Sequence, residues 1–400
     1  MDFNEGRRRY AEILVKIGVE LKQGQALCVE APVDQWDFVT LIAQEAYKAG
    51  CSKFQVIWKC DAVDRVKLEN QKVEVLDCDK AVAQHYAELG AGFIRLDCPD
   101  TKTFAGVPAE LLNEKAIADT VVRGIFRSAG MKNGQTICCM PCQAWADLVY
   151  PDLPQDKRLE ALWEAVFTCM RCGEPDPVGS WKQYIADTTR RKAKLDAKQY
   201  VSFHYKSAKT DITISPVENQ KWQGGCIEIP GERVFIPNLP TVEVFTTPHK
   251  YKADGHIAST LPLNYRGQLI ENFVLYLEKG RIVRFTAEKG EELLRSIIET
   301  DEGSHYLGEM AFIDQSSSIA SLGRVFFTTL YDENASCHVA IGNAFGPFAD
   351  PKEKDAHGYN DSKLHVDFMV GSDDMHIQGQ LPDGTWEDVL VDGHWAPEFQ

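Results

Sequence analysis

Four carboxylates and two imidazoles in the second half of the chain stand where charged side chains are costly. Glu243 lies among Val242, Val244 and Phe245, and Glu309 between Gly308 and the run Met310-Ala311-Phe312. Glu333 opens the segment Glu333-Asn334-Ala335-Ser336-Cys337-His338, and His365 and Asp367 alternate with Val366 and Phe368. Acids in apolar strands are rarely buried unless they are paired or bind a metal. In a strand, residues i and i+2 share a face, so His365 and Asp367 aim at one spot while Val366 and Phe368 face a core. Taken singly, each residue has an ordinary explanation: a histidine hydrogen-bonded to its neighbouring aspartate, or a strand glutamate turned to solvent. The recurrence of the pattern in four segments outweighs that explanation.

Four carboxylates neutralise the four positive charges of two divalent cations, and one of them can bridge the pair. Two metals about 3.5–4 Å apart polarise a carbonyl and lower the pKa of a bridging water, which is the equipment of metal-assisted hydrolysis. Carboxylates and imidazoles without thiolate permit zinc, cobalt, manganese or magnesium. Two histidines and one carboxylate also suit a single ferrous iron. A one-metal hydrolase or oxygenase of a small non-peptide molecule is therefore the second reading. A non-catalytic binding protein on the same fold is the third. Retention of Glu243, Glu309 and Glu333 together favours two metals and hydrolysis. Other chemistries lack their motifs. Gly303-Ser304-His305 does not have the spacing of a nucleotide loop, and no Gly-x-Ser-x-Gly elbow occurs.

The elements that must position these residues follow from periodicity. Over the first ~190 residues helical and strand patterns alternate, as in α/β wrapping. Helices are expected over 9–21, 36–48 (closed by Gly50), 73–89, 113–128 and 159–171, and strands over 26–30, 53–58, 92–96 and 136–140. A parallel sheet flanked by helices is the natural assembly. The basic stretch 180–199 reads as a solvated helix bridging two domains. From Tyr200 onward the texture becomes β-rich, with strands expected over 201–205, 211–215 and 363–370. A hairpin of 273–278 and 281–285 turns on Lys279-Gly280, and one helix is expected over 291–300. The expected fold is thus an α/β domain with mostly parallel sheet at 1–190, then an α+β metal-binding domain with largely antiparallel sheet at 191–400.

The chain has 400 residues, 44% of them hydrophobic, enough for two or three domains with real cores. Acids outnumber bases 59 to 43, which disfavours nucleic acid and anionic membrane as partners. The first residues are polar and charged, unlike a signal peptide, and no stretch reaches the ~18 apolar residues of a membrane span. The expected location is the cytoplasm. Twelve cysteines include the pairs Cys139/Cys142 and Cys169/Cys172. Two such pairs match zinc-site arithmetic, but their surroundings read as a buried strand end and a helix, so packing is the first reading and a zinc or redox site the second.

The order of the four segments resembles that of the thermophilic metalloaminopeptidases, the aminopeptidase T, aminopeptidase S and PepS family. The shared run is Pro-Thr-x-Glu-Val-Phe-Thr at 240–246, Gly-Glu-Met-Ala at 308–311, Glu-Asn-Ala-Ser-x-His at 333–338 and His-Val-Asp-Phe-Met-x-Gly at 365–371. Further landmarks are Cys142-Gln143-Ala144-Trp145-Ala146 before Tyr150-Pro151-Asp152, and Asp176-Pro177-Val178-Gly179-Ser180-Trp181. The resemblance implies metal ligands at Glu243, Glu309, Glu333, His338, His365 and Asp367. It implies two divalent ions that hold the free α-amino group, the scissile carbonyl and the attacking water, with Glu309 as the general base. It also implies a two-domain homodimer that removes N-terminal residues from short peptides. The cysteine pairs are not family ligands. One departure stands out: where the family has a tyrosine that stabilises the tetrahedral intermediate, this chain has Phe345. Loss of one such donor costs about 10²–10³ in rate. The following loop, 348–359, is also shorter than the family's, and Tyr359 within it is a candidate substitute donor, although a structural tyrosine is the simpler reading.

Overall fold

The computed structural model describes residues 1–400 apart from 71–72, 100–102, 105, 266–267 and 349. The chain forms two compact units, Met1–Gln183 with Cys226–Pro240, and Tyr184–Gly225 with Thr241–Gln400.

The first unit carries a parallel sheet in which Lys53–Lys59 lies at one edge, followed by Ala26–Pro32, Gly92–Asp97, Gln135–Cys139 and Asn238–Leu239. The first four strands come from the alternating pattern, because parallel neighbours need crossovers and the intervening segments are helical. The fifth enters from the returning segment 226–240 and pairs through only Ile137 and Cys138, too short a stretch to show as periodicity. Helix ends moved for local reasons. The helix expected over 9–21 begins at Phe3, because the Asp2 carboxylate accepts from the Asn4 and Glu5 N–H groups, and it ends in a π-helical turn at Leu14–Gly18. The helix expected over 113–128 runs Ala109–Asn133 until Gly134 takes φ 84°. An additional helix, Asp61–Asn70, has a single buried side chain, Leu68, and hence no apolar stripe to announce it.

Among the described residues the second unit has two antiparallel sheets. One has nine strands and includes Ser202–Lys206, Asp211–Pro216, Pro248–Ala258 and the hairpin Gln268–Glu278/Arg281–Lys289. The hairpin turns at Lys279 and Gly280, both with positive φ (47° and 79°), as a two-residue type I′ turn requires. The other sheet has four strands in the order Val244–Thr246, Leu307–Phe312, His338–Gly342 and His365–Met369. Its inner face contributes Met310, Phe312, Val339, Ile341, Val366 and Phe368 to the core that Tyr205, Ile212, Ile257 and Phe273 supply from the larger sheet. Ring pairs lock the layers, with Phe273 5.0 Å from Phe368 and Phe203 5.3 Å from Phe312. At about 1.5–3 kcal/mol for each large apolar side chain buried, this core holds the small sheet rigidly against the larger one.

None of the twelve cysteines is in a disulfide. Burial pushes the Cys138 and Cys172 thiols up to about 12, and Cys169 is raised for the same reason. These are packing cysteines with little thiolate character. Among the described residues, no helix is long and apolar enough to cross a membrane.

Candidate metal centre

The register of the four-stranded sheet gathers the chemistry on its outer face. Glu309 stands opposite Ala340, which stands opposite Asp367; the next row reads Ala311, His338, Met369; and Gly342 stands opposite His365. On the first strand Val244 pairs with Phe312 of the inner face, so the preceding residue, Glu243, turns to the outer one. Between the charged side chains stand Ala311, Ala340 and Gly342, whose small size leaves room among them. Gly342 also needs to be glycine: its φ is 104°, and a Cβ there would meet the Leu364 carbonyl oxygen at 2.3 Å.

Two groups of three result: Glu243, Glu309 and His338, and Glu309, His365 and Asp367, each with one ligand atom per residue, all within 4.8 Å of one another. Glu309 belongs to both. Its Oε1 lies 3.3 Å from His338 Nε2 and its Oε2 3.8 Å from His365 Nε2. Glu243 Oε2 lies 3.3 Å from His338 Nε2, and Asp367 Oδ1 lies 3.2 Å from His365 Nε2. Glu333, on the turn that follows the helix Thr329–Asp332, is outside both groups, but its carboxyl shares the field of Glu243, Asp367, His338 and Glu309.

Both imidazoles are oriented from behind. His365 Nδ1–H donates to the Asn343 carbonyl at 2.7 Å, and His338 Nδ1–H to the Ser336 carbonyl at 3.4 Å. Each Nε2 is thereby left facing the carboxylates, the arrangement that outer hydrogen bonds impose on metal-binding histidines. Asn334, fully buried, ties the segments together: its Oδ1 accepts from the Val242 N–H at 2.8 Å and its Nδ2 donates to the Leu330 carbonyl at 3.1 Å. It thus joins the backbone that precedes Glu243 to the turn that carries Glu333.

The electrostatics are those of an anionic cluster short of cations. Burial, and then the charges of Glu243 and Asp367, push the Glu309 carboxyl up to about 7, against the hydrogen bond from His338. Burial and the same neighbours raise Glu333 well above the carboxylate range. Burial works against the charged form of His338, but its bonds to Glu243 and Glu309 outweigh that and raise it well above its ordinary value. For His365 the Asp367 carboxylate outweighs burial and brings it to about 9. Asp367 is held low, because the neighbouring His365 imidazole outweighs burial. Its Oδ1 is buried and has no hydrogen-bond partner. Buried carboxylates that crowd one another and whose ion-pair partners among the described residues are imidazoles fit divalent cations.

Glu333, His365 and Asp367 also line a cavity of about 400 Å³. Near it the Phe345 ring lies 4.7 Å from the His365 ring and is about half exposed. Tyr359 packs edge-on to Phe348, 5.4 Å between centroids, and over Gly346, the contacts of a structural side chain.

The sequence pattern of the thermophilic metalloproteases matches residues 3–395. The chain belongs to that family. It is 35% identical to aminopeptidase T of Thermus thermophilus over 408 residues, covering 98% of this chain and 99% of that one. It is 34% identical to aminopeptidase 2 of Geobacillus stearothermophilus, with 98% of each chain covered. The solved structure of wild-type AmpT from Thermus thermophilus superposes with a TM-score of 0.87 at 33% identity, covering 99% of this chain and all of that one. The resemblance read from four motifs is therefore a whole-chain family relationship.

Residue types pointed to the six charged side chains but not to what supports them. Asn343 and Ser336 contribute through carbonyls, which leave no trace in residue type. Asn334, next to Glu333 in a motif already singled out, had a visible signal: a side-chain amide between a candidate ligand and the small residues Ala335 and Ser336.

Proposed function

We propose that this protein is a metal-dependent aminopeptidase that releases N-terminal residues from short peptides, with two divalent ions in one cluster. The observation that carries the proposal is the pair of three-residue groups sharing Glu309 on one face of a rigid sheet. Glu243, Glu309 and His338 would hold one ion and Glu309, His365 and Asp367 the other, with Glu333 completing the set. When bound, such ions polarise a carbonyl and lower the pKa of a water held between them.

The chain's own residues supply the rest. The Asn343 and Ser336 carbonyls fix the tautomers, so both Nε2 atoms are available as ligands. Glu309 is common to both groups, and we assign it as the acceptor of the proton from the attacking water. A free α-amino group would be a further ligand for such an ion, which favours an unblocked N-terminus over an acylated one. Phe345 offers a ring but no hydroxyl, so the oxyanion lacks the donor that the family tyrosine supplies. Zinc, cobalt, manganese and magnesium all suit this donor set. We place the enzyme in the cytoplasm, as a homodimer, on the strength of the family resemblance.

The test is amino-acid release from free and N-acetylated dipeptides by metal-free protein and after addition of Zn²⁺, Co²⁺ or Mn²⁺, with metal content measured alongside. Release that needs both metal and a free amine, at two ions per chain, is expected. Two bound ions with no release under any metal would sink the peptidase reading. One iron per chain would favour the small-molecule alternative.

A further inference from the structure

The cavity beside the cluster is lined by two chemically different sets of residues, the charged Glu333, His365 and Asp367 and the apolar Leu261, Leu263, Val325 and Phe327. A substrate whose reacting carbonyl meets the charged set enters a cavity that also presents the apolar one.

Phe327 is held there at a cost. Its φ is +57°, a left-handed conformation that a bulky residue adopts at about 1–3 kcal/mol and keeps only where its surroundings impose it. The source of that constraint is visible. The Asp332 carboxylate accepts from the Phe326 N–H at 2.6 Å and the Thr328 N–H at 3.1 Å, spanning Phe327 on both sides. Phe326 is fully buried, its ring 5.0 Å from that of Tyr331. The loop is thus pinned at both neighbours, and the Phe327 side chain is left on the cavity wall.

We propose that this cavity receives the side chain of the substrate's N-terminal residue and that Phe327 selects for an uncharged apolar side chain of leucine to phenylalanine size. The inference rests on the aminopeptidase reading and deepens it. Asp332 is a positioning residue that acts through the loop. Charged side chains are rejected, because Leu261, Leu263, Val325 and Phe327 on the lining offer no partner for a desolvated charge. Small side chains leave the apolar lining uncovered.

The experiment is kcat/KM for the metal-loaded full chain on X-Gly dipeptides with X as Gly, Ala, Leu, Phe, Lys or Glu. Wild type is compared with Phe327→Ala, Val325→Trp and Asp332→Asn. The readout is the ratio between substrates within each variant, so a variant that folds less well still reports. Wild type is expected to prefer Leu and Phe over Ala by about tenfold or more, the discrimination an apolar pocket supplies, and to reject Glu. Phe327→Ala should reduce the Leu:Ala ratio about tenfold. Val325→Trp should lose Phe and Leu before Ala and Gly. Asp332→Asn should lower the Leu:Ala ratio, with little further change when combined with Phe327→Ala, because both act on one wall. A wild type that prefers Glu or Lys, or a Leu:Ala ratio unmoved in Phe327→Ala and Val325→Trp, overturns the pocket assignment alone. No release from any dipeptide by wild type overturns the aminopeptidase reading and the pocket assignment with it.

Discussion

Buried glutamates occur in both units, but in different company. In the first unit Glu30, 4% exposed, meets Arg123 at 2.9 Å, and Glu45, also 4% exposed, meets Lys48 at 2.8 Å. In the second, Glu243 and Glu309 are buried almost as deeply, 8% and 7% exposed, and the partners they meet are imidazoles. A buried acid with its own cation completes its charge within the chain. A buried acid that faces other acids leaves a positive charge to be supplied from solution. The difference separates structural carboxylates from the candidate metal centre more sharply than burial does, since burial is nearly equal.

The sharpest way to break this comparison is to neutralise one acid of each kind. Glu309→Gln should lower peptide release by at least about 10³-fold, the several kcal/mol a metal centre contributes. In metal-free protein the same change should leave the unfolding midpoint in urea unchanged or raised, because it relieves repulsion among Glu243, Glu309 and Asp367. A metal-free variant less stable than wild type would count against an anionic cluster short of cations.

Metal should also stabilise one kind of site only. At a thousandfold excess over its dissociation constant a divalent ion adds about 4 kcal/mol to folding, read as a rise in thermal midpoint that a chelator reverses. Glu309→Gln should lose most of that rise, and Arg123→Ala none of it.

Arg123→Ala supplies the reciprocal case. It leaves Glu30 buried without its cation, for which about 2–3 kcal/mol of lost stability is expected, below the 3–5 of a fully enclosed pair because Arg123 is one-third exposed. Peptide release per folded molecule should be unchanged. A variant that loses activity without losing stability would assign Glu30 and Arg123 to function instead.

Two smaller effects refine the centre itself. Asn334→Ala should weaken metal binding or release by about 10–100-fold, as losses behind the ligands usually do, because the segments of Glu243 and Glu333 lose their tie. Phe345→Tyr should raise kcat by up to about 10²-fold by restoring a donor to the oxyanion. A Phe345→Tyr enzyme no faster than wild type would mean that another group supplies that hydrogen bond.

Much of this molecule was legible before its structure, and the exceptions share a cause. The parallel sheet, the Lys279-Gly280 hairpin and the antiparallel second half follow from short-range patterns: helical stripes, strand alternation and a two-residue turn. What escaped was non-local. The strand Asn238–Leu239 completes the parallel sheet from a segment nearly a hundred residues after its neighbour, and two paired residues carry no period. Phe327 reads as one more aromatic in a loop until Asp332 is seen to span it.

Residue types and their order by themselves determined the donor chemistry of the candidate site, because an oxygen-and-nitrogen set is a property of side chains wherever they end up. Strand periodicity likewise put His365 and Asp367 on one face, since alternation is built into the backbone. Only the tertiary structure decided that Glu309 is shared between two groups, that Glu333 stands apart from both, and that apolar residues line the same cavity as the charged ones. Those outcomes depend on register between strands far apart in the chain and on the Ala311, Ala340 and Gly342 gaps between them. Register is set by the packing of the inner face against the larger sheet, not by the ligands themselves.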